Sequence, residues 1–96
     1  KIIPKSLILF PNYPNPFNSQ TKIKFSLLTK SKISIQIIDV SGSLVKTIYS
    51  GMKSKGMHSF YWDGKDLGGF SLGSGLYFAL IKGNNFSEKQ KIILLK

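Results

Sequence analysis

Residues 21–27 read TKIKFSL, from Thr21 to Leu27. Ile23, Phe25 and Leu27 fall on one face, and Lys22, Lys24 and Ser26 on the other. A period of two with β-formers on one face describes a half-buried strand. Residues 32–39 repeat it, with Ile33, Ile35 and Ile37 inward and Ser34 and Gln36 outward. Asp39-Val-Ser-Gly42 supplies turn residues, so Ser43–Tyr49 reads as the hairpin partner of that strand. Ser50, Gly51 and Gly56 bracket the next expected loop. His58–Trp62 is a fourth strand, with Phe60 and Trp62 on one face as the expected core anchors. Each contributes about 1.5–3 kcal/mol if fully buried.

The connection Asp63–Gly75 contains five glycines and two aspartates, suited to crossing from one sheet to another. Leu76–Lys82 is apolar on both faces, which places it centrally in its sheet. Gly83-Asn84-Asn85 is a hairpin turn, and Phe86–Lys96 is the last expected strand. Ser6–Phe10 reads as a short leading strand. No segment carries a helical period over about ten residues. The expectation is therefore all-β: an immunoglobulin-like β-sandwich of about seven short, mainly antiparallel strands.

Composition narrows the function classes. A chain of 96 residues suits one domain with one modest core, and without cysteine neither disulfides nor thiolate sites supplement it. No apolar run approaches the ~18 residues of a membrane span. The N-terminal KIIPKSLILF has a basic start and an apolar stretch. Pro4 and the shortness of Leu7–Phe10 argue against a signal peptide, and the sequence reads as a fragment with chain upstream. Net charge is +10, carried by fourteen basic residues that are all lysine. Such a charge favours anionic partners. Arginine, the preferred residue for bidentate base and phosphate contacts, is absent, so no specific nucleic-acid partner is expected.

Little in the sequence could perform catalysis. The acidic residues number four: Asp39, Asp63, Asp66 and Glu88. His58 is the lone histidine, and beside Ser59 it is expected to be a strand residue rather than a general base. Asp63-Gly-Lys-Asp66 could suggest calcium, but Lys65 lies between the carboxylates and no further acid follows. Gly68-Gly69 and Gly73-Ser-Gly75 lack phosphate-loop spacing. Tyr49, Tyr61 and Phe70 are the candidates for an aromatic sugar platform. The expectation is no enzyme, no metal and no cofactor, which leaves a binding, structural or recognition module.

One stretch stands apart. Residues 13–18 read YPNPFN, with two prolines, two asparagines, two rings and no charge. Prolines suit a sheet edge and bias the preceding residue to extended geometry. Tyr13 and Phe17 are expected to pack as a plug, with Asn15 and Asn18 satisfying turn backbone.

YPNPFN followed by TKIKFSL resembles the opening of type A C-terminal sorting domains of the bacterial type IX secretion system. Further similarities follow in order. Ile35-Gln-Ile-Ile-Asp39-Val-Ser-Gly42 resembles the family's strand ending in Asp-x-x-Gly. Gly56-Met-His58-Ser-Phe60-Tyr-Trp62-Asp63-Gly64 resembles its Gly-x-His-x-x-x-Trp-Asp-Gly. Ser74-Gly75-Leu76-Tyr77-Phe78 and the final KQKIILLK from Lys89 to Lys96 are similar to its closing segments. Ser43 and Ser19 depart from it, standing where the family often has a basic residue and proline. The Asp-x-x-Gly and Trp-Asp-Gly elements also resemble the immunoglobulin-like domain of flagellar hook-capping proteins.

The resemblance implies residues 13–96 as a C-terminal sorting domain, and residues 1–12 as a linker or short leading strand from an upstream passenger. It implies a secretion signal that takes a larger passenger through the type IX outer-membrane translocon to the cell surface or beyond, and is then removed or exchanged for an anchor. The implied partners are the translocon, a sortase-like peptidase and the passenger, with the outer membrane involved only indirectly. Candidate recognition residues are Tyr13, Pro14, Asn15, Pro16, Phe17, Asp39, Gly42, Lys89, Lys91 and Lys96. The alternative is a structural or carbohydrate-binding accessory module of a secreted hydrolase.

Overall fold

The computed structural model describes residues 7–96. Its strands are β1 (Leu7–Leu9), β2 (Thr21–Leu27), β3 (Ser31–Asp39), β4 (Leu44–Lys53), β5 (Gly56–Trp62), β6 (Gly75–Gly83) and β7 (Ser87–Leu94). They form a three-stranded sheet in the order β1-β2-β5 and a four-stranded sheet in the order β4-β3-β6-β7. All strand pairs are antiparallel, and the described residues contain no helix. The fold is an all-β, Ig-like sandwich.

Alternation in sequence becomes alternation in space. Thr21, Ile23, Phe25 and Leu27 of β2 are buried, as are Ile33, Ile35 and Ile37 of β3. Trp62, Ala79, Ile81, Ile92 and Leu94 complete the opposing layers. Burial of such side chains is the main favourable term in a domain of this size. Leu7 is also fully buried, so β1 is part of the packed sandwich. Ser6, expected to open that strand, lies outside the described residues.

Three expectations are corrected. Ser50 and Gly51 lie inside β4, which runs on to Lys53 before a tight turn at Ser54 and Lys55. The Tyr49 side chain folds over Gly51, where a Cβ would sit 2.9 Å from its Oη. A missing side chain here makes room for a neighbour's ring; it does not break the strand. The last strand ends at Leu94 rather than Lys96. Phe60 is only half-buried, stacked 6.0 Å from Phe25 and 5.2 Å from Tyr49, whereas Trp62 is fully buried. Trp62 is covered by the Phe17 ring, whose centroid lies 5.5 Å away, whereas Phe60 pairs with Ile23 on edge strand β5 beyond that cover.

The long connection after Trp62 carries the chain from the first sheet to the second, as its glycines suggest. The sandwich edges at β1 and β7 lie on one side, and the segment between β1 and β2 crosses that side.

Candidate functional site

The segment after β1 forms a clasp between the two sheets. Tyr13 pairs with Lys22 through both backbone bonds: Tyr13 N donates to Lys22 O at 3.2 Å, and Lys22 N to Tyr13 O at 2.8 Å. Four residues later the chain has reached the other sheet. Phe17 N donates to Ile93 O at 3.0 Å, and Leu95 N donates to Phe17 O at 2.8 Å. Pro14 and Pro16 lie in the crossing, where no ladder bond is asked of them. Both Xaa–Pro bonds, Tyr13–Pro14 and Asn15–Pro16, are cis.

Side chains complete the fastening. Asn15 Oδ1 accepts from Ile93 N at 2.9 Å, and Asn15 Nδ2 donates to Lys91 O at 3.3 Å. Its amide thus stands in for a neighbouring strand on β7. Asn15 Nδ2 also donates to Asn12 Oδ1 at 3.3 Å, Asn12 Nδ2 to Thr21 Oγ1 at 3.1 Å, and Thr21 Oγ1 to Pro14 O at 2.7 Å. Asn12 and Thr21 are buried. Buried polar groups are stable where each finds a partner, and this chain of bonds provides them.

The two rings of the segment part company. Phe17 is buried, its ring centroid 5.5 Å from that of Trp62. Tyr13 is 78% exposed, so the expected two-ring plug is a one-ring plug. Its position on the outer pairing with Lys22 turns its side chain to solvent. Asn15 serves strand β7 rather than its own turn. Beneath Phe17, Gly64 holds φ at 75°, and a Cβ there would meet Leu94 at 3.3 Å. The glycine of Trp-Asp-Gly is therefore required by conformation and by the floor of the clasp.

Asp39 and Gly42 form a separate, self-contained turn. Asp39 Oδ1 accepts from Ser41 Oγ at 2.6 Å, Ser41 N at 2.9 Å and Ser43 N at 3.0 Å. Gly42 N donates to Asp39 O at 3.0 Å. The Ser41 hydroxyl, followed by the Ser43 amide, holds the Asp39 carboxyl below its ordinary range. Ser43 takes part in this turn through its backbone and through its hydroxyl, which lies 2.9 Å from Ser41 Oγ. Register places Asp39 opposite Tyr77 and Tyr77 opposite Ile92, so turn and clasp share one end of the second sheet.

Lys89, Lys91 and Lys96 are exposed. Lys89 Nζ lies 5.0 Å from the centre of the Phe78 ring, and Lys96 N donates to Ser74 Oγ at 2.8 Å. Asn15 is thus brought to Lys91, while Lys89 stands higher on the strand and Lys96 follows its end. Two contributors escaped sequence reading, Asn12 and Thr21. The signal for Thr21 was available: a polar residue in phase with Ile23, Phe25 and Leu27. Nothing local marks Asn12.

The other candidates have structural placements. His58 Nε2 is 2.7 Å from Ser54 O, at the β4–β5 turn, and adjacent Ser59 is on the opposite face. Asp63 Oδ1 accepts from Lys65 N at 3.1 Å, and Asp66 Oδ1 from Phe70 N at 2.9 Å and Gly68 N at 3.0 Å, as turn aspartates do. Among the described residues no three acidic or metal-ligating side chains gather. Tyr61 and Phe70 are exposed, but Tyr49 is packed on Phe60, so the three rings form no common platform.

A family model described as the FlgD Ig-like domain matches residues 14–85. No curated protein sequence matches. Among solved structures, dimeric latent PorU from Porphyromonas gingivalis is similar over 98% of this chain and 10% of its own, with a TM-score of 0.71 and 17% identity. PorZ, described as an essential bacterial surface component of the type IX secretion system of the same organism, is similar over 92% of this chain and 11% of its own. Its TM-score is 0.61 and its identity 19%. FlgD from Xanthomonas campestris, described in relation to hook capping in flagellar assembly, covers 95% of this chain and 63% of its own. Its TM-score is 0.60 and its identity 21%. The chain spans about a tenth of the length of PorU and PorZ, and these likenesses concern the fold.

Proposed function

Because the chain belongs to the FlgD Ig-like domain family, we propose that it serves as a C-terminal secretion signal domain, directing a larger passenger through a type IX outer-membrane translocon. The observation that carries this reading is the likeness to PorU, in which nearly all of this chain corresponds to one module of a much longer protein. PorZ, a named component of that secretion system, gives the same picture. The ordered motifs from YPNPFN to KIILLK favour a sorting role over a generic Ig-like module.

In this reading the domain is an address label and has no catalytic role. The clasp fastens the start of the sandwich, so a passenger could be detached upstream without unravelling it. Exposed Tyr13 and the lysines of β7 are the surfaces offered to the translocon and a sortase-like peptidase. The destination is the cell surface or the medium.

The test is export of a reporter fused to residues 1–96 in a type IX-competent host. The whole chain is used because Leu7 belongs to the core. Surface or medium delivery is expected, and periplasmic retention overturns the proposal. Tyr13→Ala in the same fusion should lower export while leaving the thermal midpoint nearly unchanged, because that side chain is largely exposed.

A second reading is a structural module within a larger assembly. The likeness to FlgD over 95% of the chain favours it, and retention with normal folding would select it.

A further inference from the structure

Edge strand β7 is covered along only half its length. Ile93 directs both backbone groups away from β6, toward Asn15 and Phe17. The β6–β7 register is unbroken from Leu94 to Ser87, so Lys91, Lys89 and Ser87 point their backbone groups the same way. Lys91 O is taken by Asn15. Among the described residues, no partner meets Lys91 N or the N–H and C=O of Lys89 and Ser87. That leaves an open ladder about 13 Å long at the usual rise per residue.

The open half faces a groove of about 340 Å³ between this strand and the chain after β1, with Leu9, Pro11, Asn12 and Gln90 in its walls. The inward side of β7 changes character here. Ile92 and Leu94 are buried apolar residues, but Gln90 and Glu88 occupy the same phase above them. Gln90 Nε2 donates to Phe10 O at 2.6 Å, while Gln90 Oε1 is buried with no partner. An unmet buried acceptor beside an unmet ladder marks a place where a donor is missing.

Charge selects the occupant. Lys89 and Lys91 line the groove against one carboxylate, Glu88. Among the described residues the one ion pair is Lys46 with Asp63, at 4.0 Å, so neither lysine has an acidic partner. A second copy of this chain would bring the same +10 charge to the same edge, and like charges on facing edges discourage self-pairing. The same lysines attract a strand of opposite sign.

We propose that the open half of β7 takes up an extended acidic peptide as an added strand. Ser87, Lys89 and Lys91 would pair with its backbone, and Gln90 Oε1 would accept from one of its donors. This deepens the receptor-contact part of the sorting proposal and rests on it only for biological setting. Its test is binding by the isolated 96-residue chain, so failure here leaves the export assay standing, and the reverse holds too.

The probe is the blocked heptapeptide Glu-Val-Glu-Val-Glu-Val-Glu, titrated into isotope-labelled chain and followed by amide NMR. Saturable shifts at the Ser87, Lys89 and Lys91 amides and the Gln90 side-chain amide are expected. Exchange of the Lys89 amide should slow. Combined Lys89→Glu and Lys91→Glu, which leave the backbone intact, should weaken binding about tenfold. The same peptide with alternate nitrogens methylated keeps its charge but loses its donors, and should not bind. Equal binding of the methylated or an all-lysine peptide overturns the proposal. So do shifts centred on Phe78 and Leu80 of the outer face, absence of saturable shifts, or protection of the edge by self-association without peptide.

Discussion

The clasp at Tyr13–Phe17 and the turn at Asp39–Gly42 are both conspicuous in the sequence, yet they are built in opposite ways. The turn is closed by its own residues: one carboxylate oxygen collects bonds from positions two and four ahead. The clasp has almost nothing internal. It is tied to Asn12, Thr21 and Lys22 nearby, but the Asn15 bonds that fasten it to the second sheet go to residues 76 and 78 positions away, and its one buried ring rests on Trp62. A proline-rich motif and an Asp-x-x-Gly motif look equally local on paper. In the fold, the first holds the two sheets together and the second shapes a surface loop.

Removing the Phe17 ring should break the comparison most severely. Phe17→Ala leaves a cavity between Trp62, Leu94 and Gly64, and a loss of about 3–5 kcal/mol is expected by denaturant unfolding. An unchanged midpoint would mean that the clasp is as local as the turn. Thr21→Val should come next. It keeps the volume but strips Asn12 of its acceptor and frees Pro14 O, for an expected loss of about 1–3 kcal/mol. Asn12→Val in addition should restore part of that loss, because the network then loses a donor along with its acceptor.

The smallest effect belongs to Asp39, and acid sharpens the contrast. Its carboxyl titrates lower in the folded chain than in the unfolded one, so the unfolded state binds the proton first. Its contribution is complete above the ordinary aspartate range and fades as pH falls below about 4 through the folded value. Amide exchange at Ser41 and Ser43 should quicken over that window while the Phe17 ring signals stay unchanged. Asp39→Ala should reproduce the fast exchange at neutral pH. Loss of the clasp signals in step with the turn would show that the two regions are coupled.

What the sequence made legible follows from range. Strands β2 and β3 declare themselves because their period is local, and Ile23, Phe25, Ile33, Ile35 and Ile37 point where alternation sends them. The crossing after Trp62 was readable for the same reason, through its glycines. Gly51 misled, since a glycine that accommodates Tyr49 looks like a glycine that ends a strand. The clasp was half legible. Proline chemistry predicts an extended edge segment, but which ring is buried depends on a strand at the far end of the chain. Asn12 was invisible because its partners, Asn15 and Thr21, lie along a crossing that no short-range rule describes.

That long reach also bears on timing. A chain emerging from its N-terminus makes Phe17 early and residues 93–95 late, and until then the β7 side of the clasp does not exist. Trp62 can meet Phe17, but nothing holds that segment's backbone against the second sheet. Contacts so distant in sequence close slowly, because the loop must be organised before they contribute. The sandwich is thus latched through β7, and a truncation that removes only residues 93–95 spares the pairing of residues 87–92 with β6 while taking away the backbone bonds that join Phe17 to the second sheet.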